Sequence, residues 1–149
     1  RDRLRSRGLG DVYKRQLWSG ANDTLREKIG EDYPRDAFRH EQDLLVTENG
    51  KTALFAGCAH CGIVNILKSA EDVLGRAPDA VFAGFHLYNP SLGKSEPDEL
   101  VDAVGEKLRG DKVAHYFTGH CTGKEAYERL KRKLGDRLGE MPAGSDFTV

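Results

Sequence analysis

Three short apolar runs, each closing on a histidine at a glycine-rich turn, constrain this chain more than any other feature. They are TALFAG (52–57), which runs into Cys58-Ala59-His60-Cys61-Gly62, AVFAGF (80–85), which ends at His86, and KVAHYFTG (112–119), which ends at His120-Cys121. Runs of this length, nearly continuous in apolar residues, read as buried strands. Amphipathic segments of helical period alternate with them. In IVNILKSAEDVLG, residues Ile63, Ile66, Leu67 and Ala70, with Val73 or Leu74, share one face, and Gly75 stands as the C-cap. EPDELVDAVGEKLRG carries Pro97 in its first turn and Gly110 just past its end, and GKEAYERLKRKLGDRL is the next helix. Alternating strands and helices predict an α/β layered fold.

The remaining segments are read in the same way. Leu44–Thr47 and Thr52–Ala56 form a hairpin about the turn ENGK. Asp23 or Thr24 caps a short helix over TLREKIG, and DFTV supplies a last short strand. No apolar run is long enough to span a membrane.

Charge is unevenly distributed. Residues 1–16, RDRLRSRGLGDVYKRQ, hold six basic and two acidic residues, a net of +4, against 17 basic and 22 acidic, a net of −5, in the remainder. No apolar period crosses the boundary. Residues 1–16 are therefore expected to be non-native or a disordered basic segment, and 17–149 to be the folded part. A net charge of −1 gives no drive toward nucleic acid. Three cysteines, two of them three positions apart, point to thiols in a reducing cytoplasm or to metal ligands rather than to a secreted disulfide framework.

In open α/β sheets, ligands gather at the carboxyl ends of strands. That places His60, His86 and His120 at one rim, where glycines let the backbone turn sharply. Neutral imidazole suits zinc, iron and manganese alike. His40 reads as a surface residue, and His115, alternating with Val113 and Phe117, as packing. Two other readings remain open. A strand, Cys-x-x-Cys and a helix in succession permit a thiol–disulfide oxidoreductase using Cys58 and Cys61. Cys58, Cys61, His120 and Cys121 would suit a closed structural zinc in a binding module. Thr122-Gly123-Lys124 opens the last long helix beside His120, where backbone amides and Lys124 can hold a phosphate; the plainer alternative is that Thr122 caps the helix.

The segments DAFRHEQDLLV, LFAGCAHCGIVNIL, AVFAGFHL and TGHCTGKEA, in this order, resemble one branch of the metallo-β-lactamase superfamily, that of the dihydropterin–ribofuranosylaminobenzene phosphate synthases. The resemblance implies an αββα sandwich of mixed sheets with flanking helices, and a metal site at the sheet edge. It implies His60 and His120 as metal ligands, Cys58 at the position of a bridging ligand, and His86 as a ligand or acid/base. The His-x-His-x-Asp-His signature of the superfamily does not occur here. The chain is thus expected to be the C-terminal half of a metal-dependent hydrolase-like enzyme, inactive alone. The expected cofactor is Zn²⁺, as one or two ions, with iron or manganese as alternatives. The expected partner is a small molecule, phosphorylated if the Thr122–Lys124 turn takes an anion, with neither nucleic acid nor membrane involved.

Overall fold

The computed structural model describes residues 2–5, by their backbone, and residues 17–149. In chain order the elements are β1 (Asp2–Arg5), β2 (Gln42–Glu48), β3 (Lys51–Phe55), α1 (Ile63–Leu74), β4 (Ala80–Phe82), β5 (Tyr88–Asn89), β6 (Lys94–Ser95), α2 (Asp98–Gly110), β7 (His115–Thr118), α3 (Lys124–Leu134) and β8 (Leu138–Glu140). One sheet has the order β1-β2-β3-β4-β7-β8, and β5 and β6 pair separately. The first two pairings, β1 with β2 and β2 with β3, are antiparallel; those of β3 with β4, β4 with β7 and β7 with β8 are parallel. Each parallel connection passes through one of the three helices, as parallel pairing requires. The β1 strand comes from the basic segment 1–16; the rest of that segment lies outside the described residues.

The register explains why the strands read as apolar. One row across the sheet is Leu45, Leu54, Val81, Tyr116 and Leu138, aligned residue against residue. All five are buried, and they pack in one cluster with Ile63, Ile66, Leu67 and Ala70 of α1, Val101, Val104 and Leu108 of α2, and Leu130 and Leu134 of α3. The helices therefore cover a single face. Each leucine so removed from water contributes about 1.5–3 kcal/mol. On the opposite face the register aligns Phe55, Phe82 and Phe117. Their rings stack at 4.9 and 4.8 Å, and Phe147 closes over Phe82 and Phe117. Phe82 is buried and Phe117 half-buried, while Phe55 stays 40% exposed, so the central β4 alone is covered on both faces and shows no polar alternation.

Four expectations change. The segment 24–30 is not a helix. A 3-10 turn, Gly20–Thr24, capped by Ser19, precedes it, and Arg26 and Ile29 then bridge back to Arg35 and Asp32. Gly30 at φ 61° sits at the tip, and so short a stretch does not offset the cost of nucleating a helix. The helix expected through Leu138 ends at Leu134, where Gly135 takes φ 57°, ψ −133°, a conformation open to glycine alone. Leu138 then begins the edge strand β8. DFTV is not a strand; its Phe147 packs on the phenylalanine ladder. Gly110 is the last residue of α2 rather than the one beyond it. The hairpin and the Gly75 cap, at φ 70°, form as read. Among the described residues, no helix is long and apolar enough to cross a membrane.

Candidate metal centre

The loops after β3, β4 and β7 meet at one edge of the sheet. Beyond Phe82 the chain leaves the ladder, and its amides bond to the neighbouring loops. Gly84 N–H donates to Gly57 O at 2.8 Å, and Leu87 N–H to Cys121 O at 3.1 Å. Phe85 N–H donates to Thr122 Oγ1 at 2.9 Å. Gly84 has no room for a side chain: a Cβ there would lie 2.6 Å from Cys121 Sγ and 3.5 Å from Cys58 Cα. Each loop also holds one non-glycine residue in the left-handed region, Ala59 (φ 53°), His86 (φ 49°) and His120 (φ 52°). Such residues cost about 1–3 kcal/mol each and persist where the surroundings fix them, often at functional sites.

The convergence brings two imidazoles together. The rings of His60 and His86 lie 4.1 Å apart between centroids, at 59°. His60 stacks on Phe38 at 4.5 Å, the planes within 2° of parallel. Its backbone N–H and that of Cys61 donate to the two carboxylate oxygens of Glu41, at 2.6 and 2.7 Å. Asn22 holds it from the other side, Nδ2 donating to His60 O at 2.8 Å and Oδ1 standing 3.0 Å from Nδ1. Burial lowers the His60 pKa, against the pull of the Glu41 and Asp36 carboxylates.

His86 is only 7% exposed; among the described residues neither ring nitrogen makes a hydrogen bond of good geometry, although the Ala21 backbone lies near enough to oppose the fall in its pKa. Burial first, and the His60 imidazole second, push its pKa down to about 4, so the ring is neutral at ordinary pH. Two unpaired nitrogens in a buried ring cost about 1–3 kcal/mol each unless something binds them. His120 is exposed.

The cysteines are arranged differently from a dithiol site. Among the described residues none of the three is in a disulfide. Cys61 Sγ lies 3.7 Å from Phe38 O, whereas Cys121 Sγ lies 3.6 Å from Cys58 O across the loops. The helix that follows Cys-x-x-Cys begins at Ile63, with Gly62 as its N-cap, so neither Cys58 nor Cys61 sits at its N-terminal turn. Burial, then Cys58, pushes the Cys121 thiol up to about 12, which makes it a poor nucleophile.

Among the described residues, no three His, Cys, Asp or Glu side chains are gathered closely enough to hold a metal ion. The closed four-ligand zinc of Cys58, Cys61, His120 and Cys121 is therefore not assembled. In donor chemistry the His60–His86 pair suits a divalent ion as part of a larger set: neutral imidazole is the commonest metal ligand, and His86 offers orphaned nitrogens.

Beside His120 a cavity of about 240 Å³ opens between Gly123, Lys124 and Tyr127 of the α3 start and Met141 beyond β8. Thr122 does not face it freely. It is buried, and its hydroxyl is spent on Phe85 N–H and Thr118 Oγ1, 2.6 Å away. Lys124 is 88% exposed beside Glu128. His40 is exposed, as read, and His115 is exposed too, lying against the Phe117 ring at 6.1 Å instead of entering the core. Sequence reasoning passed over Ser19 and Asn22, which no local motif marks. Phe38 and Glu41 lie inside DAFRHEQDLLV, where only the resemblance pointed at them.

The sheet and its three one-sided helices have the architecture of about half of a metallo-β-lactamase fold. The crystal structure of Tm1679, a metal-dependent hydrolase of the β-lactamase superfamily, superposes with a TM-score of 0.71 at 23% identity, over 89% of this chain and 51% of that one. Over 101 residues the chain is 30% identical to 7,8-dihydropterin-6-methyl-4-(β-D-ribofuranosyl)-aminobenzene-5'-phosphate synthase of Methanocaldococcus jannaschii, 67% of this chain and 32% of that protein. The resemblance read from the sequence, to this superfamily and to this branch of it, is borne out. The chain spans about a third of the synthase and about half of Tm1679. No protein-family profile matches it.

Proposed function

We propose that this chain is the C-terminal part of a metal-dependent enzyme with hydrolase-like chemistry, and that His60 and His86 supply two of its metal ligands. The carrying observation is the buried His86 ring, which lies 4.1 Å from the His60 ring and whose nitrogens make no well-formed hydrogen bond among the described residues. His120 and Cys58, carried on the same converging loops, are the further donors this chain offers. The remaining ligands come from a part of the longer protein that this chain lacks. A bound divalent ion, zinc in the first instance, supplies Lewis acidity and activates water. His86 contributes a lone pair rather than acting as the acid/base, since it is neutral and shielded from water. Phe38 and Asn22 hold the His60 ring, and Glu41 fixes its backbone.

The substrate is a small molecule bearing a phosphate, taken beside the α3 start by backbone N–H groups at Gly123 and Lys124 and by the Lys124 ammonium. Thr122 is excluded from this role because its hydroxyl is spent. The phosphate in the name of the related synthase and the cavity beside His120 support this assignment. Titration of Zn²⁺ into this chain, followed calorimetrically, tests the metal reading. His60→Ala and His86→Ala are expected to weaken binding at least about tenfold. Unchanged affinity in both variants overturns it.

A further inference from the structure

One short segment reaches both histidines. Ser19 Oγ lies 2.6 Å from His86 O and 2.9 Å from Glu96 Oε1, one hydroxyl proton between two acceptors. Three residues on, Asn22 is fully buried and meets His60 twice. The two contacts together carry information that neither carries alone. His60 O only accepts, so the amide nitrogen of Asn22 must face it. That turns Oδ1, which also only accepts, toward His60 Nδ1 at 3.0 Å. A contact at this distance is a hydrogen bond only if Nδ1 carries the proton. The stack on Phe38 fixes the ring plane, and the Glu41 carboxylate fixes the backbone on either side of the ring's own residue.

We infer that Asn22 is a positioning residue that locks His60 in the Nδ1–H tautomer and leaves Nε2 as its lone-pair donor. Free imidazole side chains favour the opposite tautomer, so the constraint is real chemistry rather than restatement of a default. A histidine that donates from one nitrogen and coordinates through the other is the arrangement that orients metal ligands and raises their basicity. The importance of the tautomer rests on the proposed role of His60 as a ligand; the tautomer itself does not.

The test is the long-range ¹H–¹⁵N spectrum of the histidine rings in the metal-free chain under mildly alkaline conditions. His60 is expected in the Nδ1–H form. Asn22→Leu removes the acceptor and should return it to the Nε2–H form, with Zn²⁺ affinity falling about 10–100-fold. Asn22→Asp keeps an acceptor and should keep the Nδ1–H signature, which a purely structural role for Asn22 does not demand. A wild-type spectrum showing Nε2–H overturns the inference, whether or not Asn22→Leu folds. A correct tautomer with no response of His60 to Zn²⁺ leaves Asn22's role standing and overturns the ligand reading instead.

Discussion

Asp43 allows a prediction with a worked magnitude. It lies on β2, 8% exposed, with Oδ1 buried and unpartnered among the described residues. Burial, helped by the Glu41 charge, raises its pKa from 3.8 to about 7. Between those limits the folded chain holds a proton that the unfolded chain has released. The folded state therefore binds more protons, and stability falls as pH rises through the interval. At about 1.4 kcal/mol per pH unit, the loss across the interval approaches about 4 kcal/mol. Asp43→Asn is neutral at every pH and close in shape to the protonated acid. In urea melts across this range, the wild type should lose stability on going from pH 4 to above pH 7, while the variant stays level. The variant should be within about 1 kcal/mol of wild type at the acid end and up to about 4 kcal/mol more stable at the other. Parallel curves would refute the reasoning and show that the carboxylate is solvated or paired.

Two shorter predictions follow from the site. Gly84→Ala places a methyl 2.6 Å from Cys121 Sγ and should cost about 1–3 kcal/mol in thermal or urea melts. Pairing it with Cys121→Ala should recover part of that loss, and failure to do so would mean the strain lies in the backbone. Cys61→Ser should leave Zn²⁺ affinity within about twofold of wild type, since its thiol lies 3.7 Å from Phe38 O and is not among the proposed donors. Loss of binding in that variant would revive a role for the Cys-x-x-Cys motif.

Much of the fold was legible because the inward faces of β3, β4 and β7 are buried and the central β4 is buried on both, and because Gly75 and the ENGK turn mark ends that the structure uses. The far end was misread for a physical reason. Leu130, Leu134 and Leu138 continue one helical period, yet the last belongs to a strand, since Gly135 turns the chain between them. The convergence of the three histidine loops followed from strand polarity alone. The strap that positions them did not. Asn22 is 38 residues from His60 and Ser19 is 67 from His86, and nothing local in Ser19-Gly20-Ala21-Asn22 announces either contact.

X-ray absorption at the zinc edge of the Zn²⁺-loaded chain tests the central claim most directly. Nitrogen and sulfur shells separate cleanly, at about 2.0–2.1 and 2.3 Å. The account predicts at least two imidazoles and at most one sulfur, with the imidazole scattering lost in the His60→Ala/His86→Ala double variant. A shell of two or more sulfurs would place the ion on Cys58 and Cys121 or on Cys58 and Cys61, and would contradict a histidine-based centre.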